Sequence, residues 1–118
     1  NDTNPAHVAA CDLNHDGVAN GERLLPEGYV NYARTVAPAW AADGRPQYGG
    51  GFMWVNGDGA QPLPKDAFAM LGAGGQSAWI VPSHGLVIVR IGKYRGALSG
   101  AAALRKGTVT LMKAVKPI

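Results

Sequence analysis

Asp12, Asn14 and Asp16 occupy alternate positions in Asp12-Leu13-Asn14-His15-Asp16-Gly17, and Glu22 follows shortly after. Oxygen side chains at the first, third and fifth places of a loop, with glycine at the sixth, suit calcium. The ion takes several hard oxygen ligands, and the chain must turn sharply around it. The bidentate acid that closes such a loop should stand at the twelfth place, which is Arg23, and Glu22 falls one place early. No convincing helix precedes the loop. Two readings stand here: a calcium site built from Asp12, Asn14, Asp16 and Glu22, and a polar turn without metal.

His7, Cys11 and His15 recur every fourth residue. On a helix they would share one face and offer zinc three ligands. Asn14, Asp16 and Gly17 argue against a helix running through His15, and no fourth ligand is evident, so adventitious binding is the expectation. His84 is the remaining histidine. A catalytic histidine needs a serine or cysteine and an acid, and no sequence feature supplies them, so it reads as an exposed turn residue. Trp54 and Trp79 read as core or interface; Trp40, in a loop, is the better binding contact.

The chain that must position these groups has 118 residues, of which 47% are hydrophobic and 16% charged. These values fit one globular domain with a modest core and exclude a disordered chain. Seventeen glycines and eight prolines announce many turns. The net charge of +3 is carried late, by Arg90, Lys93, Arg95, Arg105, Lys106, Lys113 and Lys116. No interleaved aromatics or nucleic-acid motif accompany that charge, so a solvated face is expected rather than a nucleic-acid surface. Cys11 is the single cysteine, which excludes an internal disulfide and leaves the compartment open. No apolar run approaches the ~18 residues of a membrane span, so no membrane partner is expected. The N-terminus lacks signal-peptide character and fits equally the start of a processed or truncated chain.

Residues 1–26 read as an irregular segment. Pro26 opens a helix near 27–36, striped by Tyr29, Val30, Tyr32, Ala33 and Val36 and ended by Pro38. Residues 37–50 read as a loop, and Gly49-Gly50-Gly51 leads into an aromatic strand, Phe52-Met53-Trp54-Val55. Asn56-Gly57-Asp58-Gly59 ends it with turn chemistry. Ala67–Leu71 fits helix or strand. A hairpin follows, with arms Ser77–Val81 and Leu86–Ile91 around Pro82-Ser83-His84-Gly85. The second arm is almost wholly apolar, which predicts a central strand covered on both faces. Residues 97–115 read as a helix with Leu98, Ala102, Leu104, Leu111, Met112 and Val115 on its apolar stripe. The fold class expected is α+β: a small antiparallel sheet of about three strands packed against a C-terminal helix, in one domain over 1–118. Its open edges predict at least a dimer.

Asp16-Gly17-Val18-Ala19-Asn20-Gly21-Glu22-Arg23-Leu24-Leu25-Pro26-Glu27-Gly28-Tyr29-Val30, Tyr48-Gly49-Gly50-Gly51-Phe52-Met53-Trp54, Gly74-Gly75-Gln76, Val81-Pro82-Ser83 and Leu86-Val87-Ile88-Val89 follow one another in a telling order. Together with the helix at 97–115, they resemble the C-terminal third of the serine β-lactamase and penicillin-binding-protein-like hydrolases, a group that includes esterases and amide hydrolases. The resemblance covers about residues 16 to 116, so 27–118 is expected as a partial unit of that family.

That resemblance implies a site of three parts. A serine is followed at i+3 by a lysine, a tyrosine lies two places before an asparagine or similar residue, and a basic–small–glycine segment on a strand lines the opposite wall. The lysine takes the serine's proton when burial and neighbours lower its pKa, and preorganised N–H donors hold the oxyanion. Here Ser77, Ser83 and Ser99 are followed at i+3 by Ile80, Leu86 and Ala102. Thr110 and Lys113 have the spacing but sit late in the final helix. Tyr29-Val30-Asn31 imitates the second part and falls in the surface helix. Only the third part remains. It lies at Gly72-Ala73-Gly74 or one residue along, without its lysine or histidine, and makes Gly74, Gly75 and Gln76 a candidate substrate-binding wall. The N–H groups of Gly75 and Gln76 would face the substrate; alternatively, the glycines only allow a bulge or a close approach. The expectation is a hydrolase fragment with no catalytic residue of its own, needing no cofactor unless calcium binds. It would act as a homo-oligomer or beside a complementing hydrolase segment. A non-enzymatic oligomeric binding module is the alternative.

Overall fold

The computed structural model describes residues 17–19, 21–92 and 100–118. Nine elements run along them: β1 (Val18–Ala19), β2 (Glu22–Arg23), α1 (Tyr29–Arg34), α2 (Pro38–Ala42), β3 (Trp54–Val55), β4 (Phe68–Gly72), β5 (Gln76–Val81), β6 (Leu86–Arg90) and α3 (Ala101–Ala114). β1 and β2 form a small ribbon, and the other four strands form one antiparallel sheet in the order β3-β4-β5-β6. The fold is α+β, with one strand more in the main sheet than the three expected. The extra strand is β4, the apolar piece that fits helix or strand by sequence. Pairing on both sides decides it: Phe68 and Ala69 lie opposite Val55 and Trp54, and the whole of β4 pairs with β5.

Strand alternation puts Ser77, Trp79 and Val81 of β5 on one face, beside Leu71 and Ala69 of β4 and Arg90, Ile88 and Leu86 of β6. α3 lies on this face. The core there is Ala67, Ala69, Trp79 and Val81, closed over by Trp54, Leu63, Leu86, Ile88 and Met112. Val81 is fully buried, which stabilises the fold by roughly 1.5–3 kcal/mol relative to leaving it exposed. The Trp54 and Trp79 rings meet edge to face, 5.2 Å apart.

α3 spans less than the 97–115 expected, and residues 97–99 lie outside the described set. Its inward stripe is Leu104, Thr108, Val109, Met112 and Val115, all half-buried. Ala102 and Leu111 belong to the exposed side, and Leu98 is outside the described residues. No residue of α3 is fully buried, so the helix rests on the sheet rather than sinking into it.

Four further expectations are corrected. β6 is not central: it pairs with β5 alone among the described strands. Its apolar run divides between faces, leaving Val87 44% and Val89 59% exposed. The loop at 37–50 contains α2, because Pro38 pre-sets the first helical φ at the position where its missing N–H costs nothing. The aromatic strand begins at Trp54, since Gly50–Phe52 form a tight turn with Gly51 and Phe52 at φ of 65° and 59°. That turn packs against α1, whose extent is Tyr29–Arg34 rather than 27–36. Tyr32 covers Gly50, and Gly49 lies against the Ala33 carbonyl with no space for a Cβ.

Candidate functional site

The bend from β4 to β5 carries the candidate wall. Gly72 pairs with Gln76, and Ala73–Gly75 make the tight bend between them. Gly74 and Gly75 have φ of 76° and 77°, a region that side chains with a Cβ enter only at a cost. From β6, Arg90 reaches back and its Nη1 donates to the carbonyls of Gly74 at 3.2 Å, Gly75 at 2.8 Å and Gly92 at 2.9 Å. A trans peptide holds each N–H opposite the preceding C=O. With both carbonyls turned to Arg90, the N–H groups of Gly75 and Gln76 are turned away from it. The positive φ at Gly74 and Gly75 accounts for these glycines as a tight bend.

Beside the bend lies a cleft of about 470 Å³. Gly72–Gln76 form one side and the N-terminal half of α3 another, through Ala101, Leu104, Arg105 and Thr108. Trp54, Leu71 and Trp79 supply the apolar wall, and Ser77 also lines the cleft. Ser77 is 8% exposed, and its hydroxyl has no hydrogen-bond partner among the described residues. The remaining side is the segment after β3, held by Asn56. This residue is fully buried. Its Nδ2 faces the carbonyls of Gln61, Leu63 and Pro64 at 3.2, 2.9 and 3.1 Å, and its Oδ1 accepts from the Gln61 N–H at 2.9 Å. Asn56 thus does more than the turn role its sequence context suggests: it fixes the loop that brings Gln61 and Leu63 to the cleft. Arg105 ties α3 to the same loop, with Nη1 donating to the Ala60 carbonyl at 3.1 Å.

The other candidates disperse. Tyr29 and Asn31 both lie on α1, far in sequence from the bend, and the Asn31 carbonyl accepts from the Thr35 hydroxyl at 2.6 Å. Thr110 donates to the Lys106 carbonyl at 3.0 Å, so its hydroxyl proton is committed to backbone within α3. Trp40 is not free in a loop: it sits in α2 with the Tyr48 ring 4.6 Å away and the Arg45 guanidinium over its ring, also at 4.6 Å. Asp43 pairs with that same guanidinium. Of the calcium quartet, Asp12, Asn14 and Asp16 lie outside the described residues, as do His7, Cys11 and His15. Glu22 is exposed on β2, paired opposite Ala19. No cluster of three metal-ligating side chains occurs among the described residues.

His84 differs from its expectation. It is half-buried, and its Nδ1 lies 2.9 Å from the Ser83 hydroxyl. Asp66 is there too, accepting from the Ser83 N–H at 2.7 Å and from its hydroxyl at 3.0 Å. A serine, a histidine and an acid therefore meet, though in the wrong order for acyl transfer. The Ser83 hydroxyl donates to Asp66 and lies beside His84 Nδ1, whose part as donor or acceptor is set by the tautomer, and Asp66 contacts the serine rather than the imidazole. The cluster clamps the β5–β6 turn, and the Ile118 N–H closes on the Ser83 carbonyl at 3.1 Å. Nothing in the sequence marks Asp66 as the partner of a turn 17 residues away.

No family model matches the chain, and comparison with curated proteins and with solved structures likewise gives no match. Among the described residues, no helix is long and apolar enough to cross a membrane.

Proposed function

We propose that this chain supplies the substrate wall of a β-lactamase-like serine hydrolase and depends on another segment for its nucleophile. The observation that carries this reading is the Arg90-stitched bend Gly72–Gln76 standing over a cleft of catalytic size. It is the segment that the family resemblance implies as the substrate wall. The reading also rests on chemistry that is missing from the sequence. No serine is followed at i+3 by lysine, and the one threonine that is, Thr110, bonds backbone. A hydroxyl without a base is a poor nucleophile. The wall therefore binds and orients an ester or amide, while proton removal and attack belong to the complementing segment.

The test is co-expression with a Ser-x-x-Lys segment encoded next to this chain in its source genome. The reading expects a co-purifying complex that hydrolyses p-nitrophenyl esters and takes one phosphonate on that segment's serine. A genome lacking such a segment, or labelling of a serine in this chain, would remove it.

One observation favours a second reading, a non-enzymatic module that self-associates. β6 is an edge strand among the described residues, apolar except for Arg90, and Ile91 beyond it is 79% exposed. Such an edge is a template for a further strand. A monomer by light scattering at micromolar concentration removes this alternative. A calcium role for residues 12–22 is tested by calorimetric titration, where no heat at millimolar calcium excludes it.

A further inference from the structure

We propose that the cleft binds a small carboxylate carrying an apolar, ring-bearing body. The proposal rests on the reading of this cleft as a ligand site, and it is independent of any acyl transfer there.

Three observations define the ligand. The first is charge. Among the described residues, Arg105 is the only ionisable side chain lining the cleft, and no acid lines it. Its Nη1 is held by the Ala60 carbonyl, and no carboxylate pairs with it among the described residues. A guanidinium has five N–H donors, so one backbone contact orients the fork without exhausting it. The second is the start of α3. Gly100 is the N-cap of the helix, and Ala101 of the first turn lines the cleft. The first-turn N–H groups of a helix have no acceptor within the helix, and its dipole favours an anion there.

The third observation is Ser77, whose buried hydroxyl lacks a partner among the described residues. Buried hydroxyls in native proteins are nearly always paired. The alternation of β5 puts Ser77 on the same face as Trp79, and the register sets it opposite Leu71, both of which line the cleft. Rotation between staggered χ1 positions lets the hydroxyl turn toward a bound acceptor. One guanidinium, helix amides and one hydroxyl suit a planar monoanion. Trp54, Trp79, Leu71 and Leu104 leave the body of that ligand an apolar bed, and the edge-to-face tryptophan pair suits a ring.

The experiment titrates the purified chain with phenylbutyrate, its amide and inorganic phosphate. The readouts are calorimetry and the three indole N–H signals in proton–nitrogen spectra, assigned by Trp-to-Phe variants. Phenylbutyrate is expected to shift the Trp54 and Trp79 signals and leave that of Trp40 unmoved. The amide should bind about tenfold more weakly, since it forfeits the charge-assisted bonds. Arg105→Gln should weaken phenylbutyrate about tenfold, with Arg105→Lys restoring part of the loss.

Ser77→Ala gives a signature that a merely structural serine would not. Binding should weaken several-fold, while the melting temperature of the free chain holds or rises because an unpaired buried hydroxyl has been removed. Equal binding of acid and amide, phosphate binding as tight as phenylbutyrate, an unmoved Trp54 and Trp79 pair, or indifference to Arg105→Gln would each overturn the proposal. Absence of phenylbutyrate binding alongside an active, phosphonate-labelled complex removes this inference and leaves the hydrolase reading standing. Binding with no complementing segment does the reverse.

Discussion

Arg90 on β6 and Gly75 in the bend before β5 are joined by an Nη1–carbonyl bond of 2.8 Å, and the same nitrogen also holds Gly74. A bend rich in glycine is expensive to order, because glycine has the most backbone freedom to lose. The guanidinium offsets that cost with charge-assisted bonds. Arg90→Met keeps the stem and removes the donors. The expected loss is about 1.5–3 kcal/mol, the range for hydrogen bonds to charged groups. Faster amide exchange confined to 72–76 would accompany it, and unchanged exchange there would show that the bend holds itself.

Asn56 is the second fixed point of the cleft. Its side chain serves four backbone groups of the loop 61–64 while fully buried. Asn56→Ala strands those groups, and a cost of about 2–4 kcal/mol is expected in denaturant unfolding. Asn56→Asp should be no milder, because a carboxylate would face three carbonyls that now receive N–H donors.

Gly49 is set by close approach rather than by φ. A Cβ there would collide with the Ala33 carbonyl and come within 2.9 Å of that of Thr35. Backbone cannot move aside as a flexible side chain does, so Gly49→Ala should cost several kcal/mol. Gly107 is the opposite case. It lies exposed within α3 with nothing within 4 Å of an added Cβ. Gly107→Ala should therefore stabilise the chain by roughly 1 kcal/mol. Equal effects at the two positions, read as melting temperatures, would contradict both arguments.

The exposed side of β6 offers a test of self-association. Val89→Lys puts a charge on an edge strand, where natural proteins use it to discourage pairing. If copies join through this edge, the variant should run as a monomer at concentrations where the parent does not, while its unfolding free energy at high dilution stays within about 0.5 kcal/mol of the parent's.

Much of this architecture could be read from residue order. Alternation and turn chemistry located both arms of the β5–β6 hairpin, and a 3.6-residue stripe ended by Lys116-Pro117 located α3. Position within the sheet was not legible. An apolar run such as Leu86–Val89 looks the same at an edge as at a centre, because burial depends on what lies beside it. The piece that became β4 was ambiguous for a related reason: five residues are too few for periodicity to decide, and pairing with Trp54 and β5 does. The glycine bend ahead of β5 was legible in Gly74, Gly75 and Gln76. Ser77, Arg105, Asn56 and Arg90 were not, since they meet the bend only across strands or from the far end of the chain. The Ser83–His84–Asp66 clamp was hidden in the same way.

The most direct measurement is intact mass of the purified chain after incubation with a serine-reactive phosphonate, in parallel with p-nitrophenyl ester turnover. The account predicts an unmodified mass and no hydrolysis above buffer. One phosphonate on one serine of this chain, with loss of a measurable esterase rate, would contradict it.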